Sequence, residues 1–426
     1  MSGVLNGQPA AGDAAARNGT RAEFALREMP ALLAGREIAC QACGSADLTS
    51  FFGDNGVPAI RGDFLFATCE DALECPRGDL ELALCRSCGT VSNLRFDERR
   101  ILQQPFGERM HSQRLVRFMI DTCDDQITKY GLGTGSTVLE IGCGSGEFLT
   151  LLCERAGCDG IGVDPAHANG NVPLPSSNAV RFVQDAYGPA CSHLRADYVY
   201  SRRAIEELAG VSGFARELRE TLGERRHVHL LFQLRDVESV LEHGAFWDLS
   251  FQQCTYFTRG SAAALLRRNR FHVVELYRAY GGQFVMIEAR PAREPTLARL
   301  SQEDDLQRMT ALASDFAARV RTRTRQIEQL MEGACAEGAD LCIWGAGPKC
   351  AALLHGLRAA AKRISVVDVD PARQGRFLAG SGIEVAAPET LARKRRGIVL
   401  LPNAICMEEV QGQLARVGCT MRLVPL

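Results

Sequence analysis

The stretch "VLEIGCGSGEF", residues 138–148, decides the fold. Val138 to Ile141 is a short apolar run carrying one acid, Glu140, and Gly142, Gly144 and Gly146 follow at every second position. A run of that length bounded by glycine reads as a buried strand. Closely spaced glycines at its end let a ligand approach the backbone. Working outward, "GEFLTLLCERAG" reads as a helix, "GIGVD", "VRFVQD" and "ADYVYS" as strands, "GFARELRETLG" as a helix and "VHLLFQL" as a strand. This alternation predicts a doubly wound α/β sheet. It closes in "FHVVELYRAYGGQFVMIEARP", two strands joined through Gly281-Gly282, expected as an antiparallel pair at the sheet edge.

At 426 residues the chain is too long for one hydrophobic core, so two or three domains are expected. A net charge of −2 gives no electrostatic reason to expect a nucleic-acid partner. No apolar stretch has the length of a signal peptide or a membrane span, so a cytoplasmic protein without a membrane partner is expected. Residues 1–35 read as a flexible tail. Residues 111–135 have the pattern of an amphipathic helix closed by glycine. Pro291 and Pro295 mark a break, after which Met309, Leu312, Phe316, Val320, Ile327 and Leu330 form one face of a long connecting helix. A second α/β unit follows in "DLCIWGAGPKCAALLHGL", "RISVVDVDP" and "GIVLLPN", so the chain carries two Rossmann-like starts.

Most of the 17 cysteines are scattered singly in apolar segments, as reduced buried thiols are. Four are not. "IACQACGS" pairs Cys40 with Cys43, and "LALCRSCGT" pairs Cys85 with Cys88, each pair followed by glycine. Two such knuckles supply four thiolates to one tetrahedral Zn2+. A closed four-Cys site has no open coordination position, so a structural role is expected. Cys69 and Cys75, in the intervening loop, are competing candidates without the paired spacing.

Dinucleotide loops run Gly-x-Gly-x-x-Gly, because a pyrophosphate must rest on the helix N-terminus. The spacing here is Gly142-x-Gly144-x-Gly146, which suits S-adenosyl-L-methionine instead. Glu140 is placed to attract the cofactor's amino group, and the glycines to wrap its amino-acid end. Asp164, ending "GIGVD", is placed for the ribose hydroxyls. Asp185 and the following amide of Ala186 are placed for the adenine. An NAD site accounts for Gly142, Gly144 and Asp164 but not for the spacing or the third acid.

Together, the doubled Cys-x-x-Cys-Gly, "VLEIGCGSGEF", "TYFT" at 255–258, "GGQ" at 281–283, "WGAGPKCAALL" and "VVDVDPARQGRFLAGSGIEV" resemble the bacterial three-domain sugar C-methyltransferases, from about Ala39 to Leu426. The resemblance implies a zinc-binding module over 36–110, a class I adenosylmethionine-dependent methyltransferase domain over 111–292, a connecting helix over 293–335 and a C-terminal Rossmann-like domain over 336–426. It implies methylation of a nucleotide-linked ketodeoxysugar, in an antibiotic or polysaccharide pathway, with the small-molecule substrate enclosed between the two α/β layers. Gly345 and Lys349 are then expected substrate contacts, and Tyr256 reads as either packing or a substrate contact. Gly345, Gly347 and Asp368 superficially suit NAD, but Cys350 stands at the third glycine of that pattern.

The chain departs from the family at the base. Making a carbon–carbon bond beside a ketone requires a proton to be removed first. The Glu-His pair that relatives carry before "YF" is Gln252-Gln253 here, and neither side chain takes a proton at neutral pH. Relatives often show Glu-His where this chain has Glu206-Glu207, and an acid is common at Gln233. His243 and His111 are the candidate replacement bases. His227 and His229 flank a strand and read as surface or satisfied histidines. Two other readings stay open: O- or N-methylation, with Gln253 orienting the nucleophile, and a non-catalytic relative that binds adenosylmethionine or a sugar nucleotide.

Overall fold

The computed structural model describes residues 38–61, 64–102, 112–167, 170–173, 179–296, 298–358, 364–394 and 396–426. The expected tail and His111 lie outside the described residues. The chain opens with the two Cys-x-x-Cys turns around β1 (Leu48–Pro58), β2 (Leu65–Phe66), α1 (Cys69–Leu73), β3 (Arg77–Cys85) and β4 (Val91–Asn93). Helix α2 (Gln113–Tyr130) leads into the next layer. The Ser112 side chain caps its start, and Gly131, at φ 62°, stops it.

That layer comprises β5 (Thr137–Ile141), α3 (Glu147–Ala156), β6 (Asp159–Val163), β7 (Gly170–Pro173), β8 (Ala179–Val183), β9 (Tyr198–Arg202), α4 (Val211–Leu222), β10 (His229–Arg235), α5 (Val237–His243), β11 (Thr255–Tyr256), α6 (Arg259–Arg268), β12 (Phe271–Ala279) and β13 (Phe284–Pro291). Helix α7 (Leu306–Ala336) then leads to β14 (Asp340–Trp344), α8 (Pro348–Leu357), β15 (Ile364–Val367), β16 (Phe377–Leu378), β17 (Val385–Ala386), β18 (Gly397–Leu401), α9 (Met407–Arg416) and β19 (Arg422–Pro425). No helix among the described residues is long and apolar enough to cross a membrane.

The central sheet runs β12-β13-β10-β9-β5-β6-β8-β7. Strands β8, β6, β5, β9 and β10 are mutually parallel, and β13 is antiparallel to both β10 and β12. The terminal hairpin is thus turned so that β13 is interior and β12 is beyond it. The burial explains the choice: β13 is buried almost throughout, whereas β12 mixes buried and exposed positions. Strand order reverses between β5 and β9, the switch point at which doubly wound sheets bind ligands.

The C-terminal sheet, β17-β15-β14-β18-β19, is parallel throughout, with its own reversal between β14 and β18. The carboxyl edges of the two sheets meet at the β12–β13 turn. Gln283, in the β12–β13 turn, donates to Asn403 after β18 at 2.7 Å and accepts from Lys349 at 3.2 Å.

The amino-terminal layer is built into both units. Its sheet, β1-β3-β4-β11, borrows β11 from the central layer, and β2 pairs with β16 of the C-terminal unit. One apolar core joins Phe51, Phe52 and Leu82 to Trp247, to the buried face of α7 and to Leu353 and Ile343 beyond it. Met309, Phe316, Val320 and Ile327 supply that face, at the spacing the sequence predicts. Phe316 is fully buried, with Phe51 and Phe52 edge-on at 6.0 and 5.0 Å. Phe316→Ala is expected to cost about 3–5 kcal/mol through lost contact and the cavity left behind, read as a lower urea midpoint.

Candidate functional site

The glycine loop leaves β5 with Gly142, Gly144 and Gly146 all left-handed, at φ 71°, 54° and 78°. A side chain at Gly142 would place its Cβ 2.3 Å from the Ala204 Cβ, and one at Gly146 would meet the Phe182 ring at 2.3 Å. Both positions therefore require glycine for space as well as for backbone angle. Asp164, just past β6, holds the loop from below: its carboxylate accepts from Gly144 N at 2.9 Å and from Ala166 N at 2.8 Å. An ionised carboxylate has about four acceptor sites, so further donors can still be met. His167, which the motif reading did not single out, bonds the Gly144 carbonyl through Nδ1 at 2.6 Å and stacks on Phe182. Asp185 is exposed past β8, bonded to Ala186 N at 2.7 Å, and Glu140 is buried at the end of β5. Gly142 to Gly146, Asp164 and Asp185 thus end adjacent parallel strands in the order a nucleoside bearing an amino acid requires.

Across the switch point, β9 is followed by Arg203, a non-glycine residue held at φ 51°. Such conformations store strain and gather at functional sites. Ala204 then packs on Gly142, and a short helical turn carries Glu206 and Glu207. Glu206 is 1 % exposed. One oxygen accepts from Arg235 N at 2.8 Å, while Oε2 is buried with no partner. Glu207 is 13 % exposed and pairs with Arg61 of the amino-terminal layer at 3.4 Å. Burial pushes its carboxyl up to about 7, with Glu206 adding to the rise and Arg61, Arg235 and Arg203 opposing it. Neighbouring Asp236, also buried, is raised to about 6, against the pull of Arg278 at 2.6 Å.

Gln253 lies beside this turn, since Cys254 N donates to the Glu206 carbonyl at 2.9 Å. Gln253 is 2 % exposed and its Oε1 has no partner among the described residues. Gln252 is buried and lines a small cleft, open to solvent, between β1, the 246–252 loop and α8. Asp54 and His355 face each other across that cleft at 3.2 Å. Gln233, buried under the site, accepts from the Tyr200 hydroxyl at 2.7 Å.

Three expected contacts are corrected. His243 is exposed at the end of α5, bonded to its own helix at Ser239 O. Seven residues of helix put it roughly 10 Å along from Asp236, at the α7 side. Tyr256 is fully buried and its hydroxyl both donates to Ser250 O and accepts from Ser250 N, so it is packing. Lys349 is held at 2.7 Å by Asp248 and at 3.2 Å by Gln283, which makes it a joint between layers. Gly345, at φ 93°, has open space where a Cβ would be. Beside it, Arg373 lies 3.3 Å from Asp368, whose carboxylate also takes Ala346 N. The acid that a dinucleotide's ribose would need is neutralised from within.

The four cysteines of the doubled motif come together: the Sγ atoms of Cys40, Cys43, Cys85 and Cys88 all lie within 4.8 Å of one another. The Cys40–Cys88 and Cys43–Cys85 separations are both 3.6 Å. Four sulfurs about 2.3 Å from a tetrahedral zinc stand about 3.8 Å apart, so the cage fits that ion. Left-handed Gly44 and Gly89 turn the two knuckles. The knuckle reaches the site: Gln41 accepts from Gly210 N at 2.7 Å through its side chain and from Ser212 N at 3.2 Å through its carbonyl. Cys69 and Cys75 stay outside the cage.

Residues 115–276 match the family described as methyltransferase domain, and residues 278–420 match the C-methyltransferase C-terminal domain. The chain is an adenosylmethionine-dependent methyltransferase of the class I α/β fold. It carries, in addition, the C-terminal domain found in C-methyltransferases. Among solved structures it is similar to the 8-amino-8-demethyl-riboflavin dimethyltransferase of Streptomyces davawensis, at 21 % identity over 42 % of this chain and 56 % of that one, TM-score 0.31. It is also similar to the 1,6-didemethyltoxoflavin N1-methyltransferase of Burkholderia thailandensis, at 16 % identity over 43 % and 80 %, TM-score 0.31. A third is the magnesium protoporphyrin IX methyltransferase of Synechocystis, at 16 % identity over 44 % and 90 %, TM-score 0.32. No curated protein matches the sequence.

Asp164→Ala removes the acceptor that ties Gly144 to Ala166, so S-adenosylhomocysteine affinity should fall by at least roughly tenfold in calorimetric titration. Unchanged affinity would remove Asp164 from the cofactor site.

Proposed function

We propose that the enzyme methylates a carbon of a small keto sugar carried on a nucleoside diphosphate. The observation that carries the reading is the meeting of the two sheets' carboxyl edges at Gln283 and Asn403, one edge bearing the glycine loop and its acids, the other belonging to the C-methyltransferase C-terminal domain. Arg61, Arg203 and Arg235, whose charges all reach Glu207, supply a cationic surface of the kind a diphosphate requires. On this reading Glu140 holds the amino end of adenosylmethionine, Gly142, Gly144 and Gly146 enclose its amino-acid portion, Asp164 takes the ribose, and Asp185 with Ala186 takes the adenine. When bound, that cofactor supplies an electrophilic methyl group. The chain's own part is to orient the acceptor carbon toward it, to exclude water, and to remove a proton. Buried unbridged thiols fit an enzyme of the cytoplasm.

The Cys40, Cys43, Cys85 and Cys88 cage is proposed as a structural zinc site. Its task is to hold Gln41 against Gly210 and so to set the turn bearing Glu206 and Glu207. The Gln252-Gln253 pair favours a second reading, transfer to oxygen or nitrogen, because a heteroatom nucleophile needs less help from a base.

Two measurements test these readings. Titration with S-adenosylhomocysteine and then with thymidine- and uridine-diphosphate ketosugars should show both classes binding, and NMR of the product should place the methyl on carbon. A methyl on oxygen or nitrogen would select the second reading, and a failure to bind any sugar nucleotide would discard the substrate class. Elemental analysis should find about one zinc per chain, lost in Cys88→Ser. Metal-free wild-type protein that keeps full activity would reject the positioning role.

A further inference from the structure

We infer that Glu207 is the general base of the reaction, replacing the histidine that residue 253 does not provide. This rests on the carbon-methylation reading above. Three observations place the group. Ala204, three residues earlier, is packed on Gly142, so the Glu206–Glu207 turn stands at the cofactor loop itself. Its other flank touches the 253–254 segment through the Cys254 N to Glu206 O bond, where relatives by resemblance carry their base. Of the two acids, Glu206 is sealed in and committed to Arg235 N, whereas Glu207 keeps 13 % of its side chain exposed beside Arg61.

Among the described residues the charges acting most strongly on Glu207 are Arg61 from the amino-terminal layer, Glu206 from its own turn, Arg235 from the end of β10 and Arg203 just past β9. The arginines do not overcome burial, and the carboxyl stays near 7. A base poised there is about half ionised at neutral pH and still basic enough to take a carbon-bound proton. An ordinary surface glutamate, at about 4.3, is a far weaker base.

The step balances as follows. The Glu207 carboxylate takes the proton from the carbon next to the ketone, and the C–H electron pair moves into an enolate. The enolate carbon then forms the new C–C bond with the sulfonium methyl, whose C–S electron pair stays on sulfur. Glu207, now a carboxylic acid, returns its proton to solvent. Arg61, at 3.4 Å, keeps the carboxylate turned inward between turnovers.

The test isolates proton removal from methyl transfer. The full-length protein is incubated in D2O with S-adenosylhomocysteine and thymidine diphosphate-4-keto-6-deoxyglucose, and deuterium entering beside the ketone is followed by NMR. Wild type should exchange, with a rate that rises through about pH 7 and then levels, because only the ionised carboxylate accepts. Glu207→Gln should slow exchange by at least roughly 100-fold while S-adenosylhomocysteine affinity stays within about twofold. Glu207→His should restore exchange, with the midpoint moved toward the ordinary histidine value. Exchange by Glu207→Gln at the wild-type rate, or a loss that follows His355→Asn instead, would overturn the assignment and leave carbon methylation standing. Wild-type protein that never exchanges this probe or methylates it on carbon, yet methylates its hydroxyl, would overturn the carbon-methylation reading and Glu207 with it.

Discussion

The site depends on one close approach: Ala204 occupies the space that any side chain at Gly142 would fill. That contact joins the ends of β5 and β9, the two strands between which the sheet order reverses. It brings the cofactor loop on one side against the acid-bearing turn on the other. The turn is then fixed at its far end by Gln41, which sits between Cys40 and Cys43 and grips Gly210 and Ser212. A cysteine knuckle and a glycine loop, almost 100 residues apart in sequence, thus hold the two ends of one seven-residue segment.

The same economy explains why the amino-terminal layer is not a separable appendage. Its sheet is completed by β11, and its strand β2 is paired by β16. The core runs from Phe51 and Phe52 through Phe316 of α7 into the C-terminal unit. Lys349 and Gln283 then stitch the two α/β edges together. The cleft beside Gln252 is consequently walled by three layers whose spacing is set by apolar packing, not by the ligand.

Much of this was legible in the linear chain because it is local. Strand alternation, the glycine spacing of 142–146, the apolar face of α7 and the doubled cysteine pairs are short-range patterns with short-range causes. The errors arose where the third dimension decides. Lys349 was expected at the substrate through the resemblance of "WGAGPK", but Asp248, a hundred residues earlier, already pairs with it. Tyr256 was open between packing and substrate contact, and its hydroxyl is spent on Ser250. His243 was chosen for its proximity in sequence, which the direction of α5 cancels. The insertion of β13 between β10 and β12 was equally hidden, since a hairpin's hand relative to the sheet depends on which strand has two apolar faces.

The departures at 207 and 253 make physical sense only together. A histidine at 253 would become a cation whenever it accepted a proton, and a cation beside a buried glutamate drives that carboxyl back toward its ordinary range. Gln253 is neutral at every pH of interest. It leaves Arg61, Arg235 and Arg203 as the main opposing charges on Glu207 among the described residues, and burial exceeds them. A glutamate at 207 with a histidine at 253 would make two half-effective bases. A glutamate at 207 with a glutamine at 253 makes one, and the unpartnered Gln253 Oε1 is left as an acceptor for a substrate hydroxyl. The pair of substitutions that looks like a lost active site is, on electrostatic grounds, the condition for moving the base to the neighbouring segment.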